Sequence, residues 1–218
     1  MKRFYTILIL LIGFFTINSQ AQATNDPNAK KILDGVSTKF KTFKTVKATF
    51  TYKVENTAGK ALSSKNGSVS MKGTKYRVNI VGQDIFCDGV NVWTYDKAAN
   101  EVTITKLDNS SNSLTPQKLF TNFYDKDFLY KLNGEKKQGT KIFQEIEMTP
   151  TDKSKPFHKV YVYVDKNGKT LSSTKVMEKS GNRYSYTVNT LTPNGTIDDK
   201  QFVFDVKKYP GVEVVDLR

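Results

Sequence analysis

From residue 46 onward the chain alternates. Ala48, Phe50, Tyr52 and Val54 are apolar, and Lys47, Thr49, Thr51 and Lys53 between them are polar. That period of two marks a strand with one face buried and one in water. It returns in Val69 and Met71, then in Tyr76, Val78 and Ile80 set against Arg77 and Asn79. It returns again in Trp93 and Tyr95, Val102 and Ile104, Ile142 to Met148, the β-branched run HKVYVYV (158–164), Leu171–Glu178, and Tyr184, Tyr186 and Val188. Phe202 and Phe204 read as a last short strand. Turn residues separate these runs: Asn56–Gly59, Lys72-Gly73-Thr74, Gly82-Gln83, Asp88-Gly89 and Asp165-Lys166-Asn167-Gly168. Asn66-Gly67 reads as the opening of its strand.

Two segments follow a helical period instead. Asn25 or Asp26 can cap a helix with Pro27 at its first position, and Ile32, Val36, Phe40 and Phe43 form one apolar stripe opposite Lys30, Lys31, Lys39 and Lys41. This predicts an amphipathic helix of about four turns. In the middle of the chain, Thr115 caps a second helix begun by Pro116. Leu119, Phe120 and Phe123 make its apolar patch, and Phe128, Leu129 and Leu132 a further turn.

The predicted class is therefore mainly β with helices. It is a curved antiparallel sheet, or incomplete β-barrel, of about ten to eleven strands, covered by the N-terminal helix and a central helical lid. One sheet face gathers Phe50, Tyr52, Met71, Tyr76, Trp93, Tyr95, Tyr184 and Tyr186. Such a face is either a filled core or the wall of an apolar cavity. Composition alone favours the filled core.

The ends and the charge narrow the setting. Lys2 and Arg3, the apolar run Phe4–Ile17 and Ala21-Gln22-Ala23 read as a secretory signal peptide over residues 1–23, leaving 24–218 as a single domain. No cysteine stands near the cleavage position, so a lipid anchor is not expected. The formal charge is +13, with the basic residues spread along the chain. In an exported protein this points to acidic proteins or anionic headgroups and not to nucleic acid.

Candidate chemistry is sparse. Cys87, in IFCDGVNVWTYD (85–96), and His158 are the only residues of their types in the sequence. No base stands beside the thiol in sequence. No metal-ligand spacing or nucleophile motif occurs. Glu145 and Glu147, and Asp198 and Asp199, read as solvated pairs. No catalytic residue, metal site or cofactor is expected.

Four stretches together resemble the periplasmic outer-membrane lipoprotein carrier family, LolA. They are KTVKATFTYKV (44–54), NGSVSMKGTKYRV (66–78), CDGVNVWTYD (87–96) and FVFDVKKYPGVEVVDLR (202–218). The resemblance implies a non-enzymatic periplasmic carrier. It would bind the acyl chains of lipoproteins in a cavity and shuttle them toward the outer membrane. The implied partners are acylated lipoproteins, an inner-membrane lipoprotein-releasing transporter and an outer-membrane acceptor. The candidate lipid-binding residues are Phe50, Tyr52, Met71, Tyr76, Val78, Ile80, Trp93, Tyr95, Ile104, Phe120 and Phe123. The family carries an arginine just after the glycine-led strand that holds the lid. Here that turn is Met71-Lys72-Gly73-Thr74, leaving Lys72 or Arg77 as substitutes, and the two residue types are not interchangeable at a multidentate site. The alternatives are a related half-barrel that binds or senses another lipid, and a basic, filled-core interaction module of the cell envelope.

Overall fold

The computed structural model describes residues 25–108, 116 and 124–218. Twelve strands form one open sheet: β1 (Thr45–Glu55), β2 (Ala61–Lys72), β3 (Lys75–Ile80), β4 (Gln83–Cys87), β5 (Asn91–Asp96), β6 (Glu101–Lys106), β7 (Phe128–Gln138), β8 (Lys141–Pro150), β9 (Phe157–Asp165), β10 (Thr170–Glu178), β11 (Arg183–Pro193) and β12 (Glu213–Asp216). Their order is β12-β6-β5-β4-β3-β2-β1-β11-β10-β9-β8-β7. Neighbours pair antiparallel except β12, which runs parallel to β6. Tight turns account for most of this order. Gly73 (φ 59°) joins β2 to β3. Gly89 (φ 95°) joins β4 to β5, where the Asp88 carboxylate accepts the backbone N–H groups of Val90 at 2.8 Å and Asn91 at 2.7 Å.

The helix α1 (Pro27–Lys41) begins where its capping chemistry dictates: Asp26 Oδ1 accepts the N–H of Asn28 at 2.8 Å. The other oxygen, Oδ2, accepts the N–H of Leu132 at 2.9 Å, and Asn25 Oδ1 accepts the N–H of Tyr130, also at 2.9 Å. The start of α1 thus also covers part of the free edge of β7. Ala29, Leu33 and Val36 of α1 are buried against Tyr130, Ile146, Met148, Val160, Val162 and Val164 of β7–β9. The sheet face beneath α1 is called inner below, and the opposite face outer.

A second cover lies on the outer face at the other end. The segment after β11 passes through two one-turn 3-10 helices, Asp199–Phe202 and Val206–Lys208. It packs Phe204, Tyr209 and Val212 onto Phe86, Trp93, Tyr95 and Val102. Phe204 stacks on Tyr209 with ring centroids 4.3 Å apart.

Several elements differ from expectation. Phe128, Leu129 and Leu132 belong to strand β7, not to a helical turn. Phe128, Tyr130 and Leu132 alternate as well as they spiral. Phe202 and Phe204 are not in a strand; the closing strand is β12. Asn66-Gly67 lies inside β2, which starts six residues before Gly67 at Ala61. Glu145 and Glu147 are not solvated. Glu145 is 6% exposed and pairs with Lys136. Glu147 pairs with Lys159 at 2.8 Å. Burial pushes the Glu145 carboxyl up, but hydrogen bonds from Lys136, Asn133 and Tyr163 outweigh it and leave it below the usual range. The helix over Thr115 to Phe123 lies outside the described residues apart from Pro116. The four-residue helix α2 (Tyr124–Asp127) follows it.

Candidate functional site

The strand register places one set of side chains on the inner face beside α1. Ala48 of β1 lies across from Val69 of β2 and Leu191 of β11, and Val69 from Val78 of β3. Phe50 lies across from Gly67 and Val188, and Gly67 from Ile80. Tyr52 lies across from Lys65 and Tyr186, and Val54 from Ser63 and Tyr184. Along β1 the strip changes character. Val46 and Ala48 are buried, whereas Phe50, Tyr52 and Val54 are half-buried. Val78, Ile80, Tyr184 and Val188 are half-buried too, and Tyr186 is 43% exposed.

Gly67 explains how Phe50 lies. A Cβ at position 67 would come within 2.4 Å of the Phe50 ring and 2.8 Å of the Asn79 carbonyl oxygen, so the ring rests on bare backbone. Beyond Phe50 the strip ends in three tyrosines. Tyr52 stacks on Tyr184 at 6.0 Å between centroids and meets Tyr186 at 4.9 Å. Burial, and secondarily the neighbouring phenols, push the Tyr52 and Tyr186 hydroxyls up, so both stay protonated at neutral pH and can donate. At the opposite end, Leu191 continues into a depression lined by Val36, Phe40, Phe43, Lys169, Thr170 and Leu171. The strip therefore runs from an apolar recess beside α1 to a hydroxyl-bearing rim, with exposed Lys65 across from Tyr52.

The eleven candidates separate into four groups. Phe50, Tyr52, Val78 and Ile80 line the strip. Met71 and Tyr76 share its face but are 3% and 7% exposed, packed with Cys87 beneath Phe40 and Phe43. Trp93, Tyr95 and Ile104 are on the outer face. Cys87 pairs with Val92, which puts Trp93 across from Phe86 and Ile104, and Tyr95 across from Asp84 and Val102. Trp93 and Tyr95 are packed against the C-terminal segment and do not share a face with Tyr76. Phe120 and Phe123 lie outside the described residues. Val54, Tyr184, Tyr186 and Val188 complete the strip but are missing from the candidate set, although the alternation of Tyr184, Tyr186 and Val188 carries the signal.

Cys87 is fully buried, and burial raises its thiol above the ordinary range. His158 is exposed. Among the described residues no cluster of His, Cys, Asp and Glu has the make-up of a metal site, and no helix is long and apolar enough to cross a membrane.

The family model described as "Outer membrane lipoprotein carrier protein LolA" matches residues 41–205. The chain belongs to the LolA family. Full-length similarity agrees with this. The chain is 26% identical over 222 residues to an outer-membrane lipoprotein carrier protein of Yersinia enterocolitica and 27% identical to one of Serratia proteamaculans, each alignment covering 100% of both chains. A crystal structure of an uncharacterized conserved protein from Thermus thermophilus shares the fold, with a TM-score of 0.58, 13% identity and coverage of 87% of this chain and 99% of that one.

Lys72 and Arg77, the two cations named above as candidates for holding a lid, are both engaged elsewhere. Lys72 lies on the outer side and is bound to Asp199 at 2.7 Å, and Asp199 also holds Lys75 at 2.6 Å. Arg77 pairs with Asp84 at 3.4 Å and lies over the Phe86 ring at 4.5 Å. Neither cation faces α1.

Proposed function

We propose that this protein is a periplasmic carrier that takes up the acyl chains of lipoproteins on the inner-face strip and moves them toward the outer membrane. The observation that carries the reading is the strip itself. Phe50, Tyr52, Val54, Val78, Ile80, Tyr184 and Val188 are apolar or aromatic, lie on one face and remain only half-buried. Acyl chains gain about 0.8 kcal/mol per buried CH₂, so a lipidated protein needs such a surface to cross water. The half-buried apolar side chains suit acyl chains and the tyrosine rim suits ester and amide carbonyls. Family membership supports the same cargo class. An inner-membrane releasing transporter and an outer-membrane acceptor are the partners such a route requires, and the basic surface suits acidic docking patches on them.

Native mass spectrometry of the protein isolated from an envelope extract tests the reading. Bound lipidated protein is the expected result, lost on Ile80→Asp. A protein that carries neither lipid nor lipoprotein, with or without added acylated cargo, contradicts it.

A further inference from the structure

Among the described residues two internal strands overhang a neighbour: β11 pairs with β10 only over Arg183–Thr187, leaving 188–193 without a partner on that side, and β2 overhangs β3 beside the tyrosine rim. β2 pairs with β1 from Ala61 to Lys72, with Leu62 bulged out of the ladder. Its pairing with β3 covers only Gly67 to Lys72, because β3 ends at Ile80. Residues 61–66 therefore have no strand partner on their β3 side among the described residues. In an antiparallel strand every second residue directs both its N–H and its C=O to the same side, so among the described residues this overhang presents a short ladder of donors and acceptors without a strand partner. Leu62 within it and Val81 just after β3 are 59% and 60% exposed.

The β11 overhang carries Leu191 and lies toward the recess end of the strip, not at the tyrosine rim, and the two outer edges of the sheet are covered or short. β7 is held at Tyr130 and Leu132 by Asn25 and Asp26 and is bulged between Leu132 and Gly134. β12 is only four residues long. The overhang of β2 is six residues long and adjoins the lipid strip: Lys65 lies across from Tyr52, and Gly67 lies under Phe50.

We propose that residues 61–66 bind, by strand addition, the extended peptide that follows the acylated residue of the cargo. This rests on the lipid-carrier reading above. A ligand whose tails lie in the recess near Phe43 and Leu191 has its polar junction at Tyr52 and Tyr186. The first residues of the attached polypeptide then emerge next to the overhang. Strand addition draws its affinity from main-chain hydrogen bonds and is tolerant of side chains, which fits a carrier that must accept many sequences after the same lipidated residue. Lys65 and the bulge at Leu62 keep the edge from pairing freely with other copies.

The test compares four synthetic probes on the intact protein: tripalmitoyl-cysteine amide, the same lipid bearing a six-residue peptide, and two versions of that lipopeptide N-methylated at alternate residues, one in each phase. The peptide is expected to raise affinity about tenfold, equivalent to about 1.4 kcal/mol. N-methylation in one phase abolishes the gain and in the other phase spares it. Amide hydrogen exchange within residues 61–66 slows with the peptide-bearing probe and not with the bare lipid. Equal affinity for bare and peptide-bearing lipid, with no slowing of exchange, overturns strand addition while leaving the lipid site standing. Failure of every probe to bind overturns the carrier reading itself.

Discussion

Two parts of one inner face have opposite fates. Over β7–β9 the inward side chains Ile146, Met148, Val162 and Val164 are at most 2% exposed, sealed under α1. Beyond the buried Val46, Ala48 and Tyr76, the inward Phe50, Tyr52, Val78, Ile80, Tyr184 and Val188 of β1, β3 and β11 stay half-buried. The difference is one of length. The 15 residues of α1 span about 22 Å, enough for four or five strands at about 4.8 Å spacing, whereas the sheet has twelve. The same alternation therefore makes a core where the helix lies and an accessible apolar strip where it does not. Among the described residues, the strip is the part of the inner face that α1 does not reach.

The largest expected effect lies at the sealed end. Met148→Ala removes a fully buried side chain from the α1 core and should destabilise by about 2–5 kcal/mol, read by urea denaturation. At the open end, Ile80→Asp or Phe50→Asp should shift stability far less and lower affinity for an acylated probe at least about tenfold. Equal losses of stability at both ends would erase the contrast.

Gly67→Ala sits between the two behaviours. The added methyl meets both the Phe50 ring and the Asn79 carbonyl oxygen, so ring displacement alone does not relieve it. It should destabilise by about 1–3 kcal/mol and weaken acyl binding together, checked by paired denaturation and binding curves.

The smallest effect concerns the outer cover. Asp199, held by Lys72 and Lys75, has its carboxyl lowered from 3.8 to about 2. A lowered folded-state value adds stability above the unfolded value, lost as pH falls from about 4 toward 2. Asp199→Asn should flatten the acid limb in that window and leave neutral-pH acyl binding unchanged. Its carboxylate is exposed, so the change should be small.

Much of the fold can be read from the chain alone. The Asp26–Pro27 cap, the alternation of β1 and β9 and the turns at Gly73 and Gly89 are local signals with local causes. The phase of Trp93 is not accessible in the same way. Alternation orders faces within a strand but does not tie one strand's faces to the next. In Ile85-Phe86-Cys87 both faces are apolar, because the C-terminal segment covers the outer face there as the inner core covers the other. With the alternation erased, Trp93 and Tyr95 cannot be assigned to a face without the pairing of Cys87 with Val92. β7 is ambiguous in sequence because Phe128, Tyr130 and Leu132 fit a period of two while Phe128, Leu129 and Leu132 fit a helix. β12 is too short and too exposed to announce itself. Lys72 and Arg77 stand near the β2–β3 turn, and the pleat sends both to the outer face.

The two faces can be told apart by one optical measurement. Trp93, the single tryptophan, reports the outer face, and Ile80→Trp in a Trp93→Phe background reports the strip. With an acylated cargo carrying a brominated or spin-labelled chain, the account predicts strong quenching of the indole at position 80 and none of the native Trp93. Quenching of Trp93 with none at position 80, or of neither, would contradict the claim that acyl chains lie on the inner face of β1, β3 and β11.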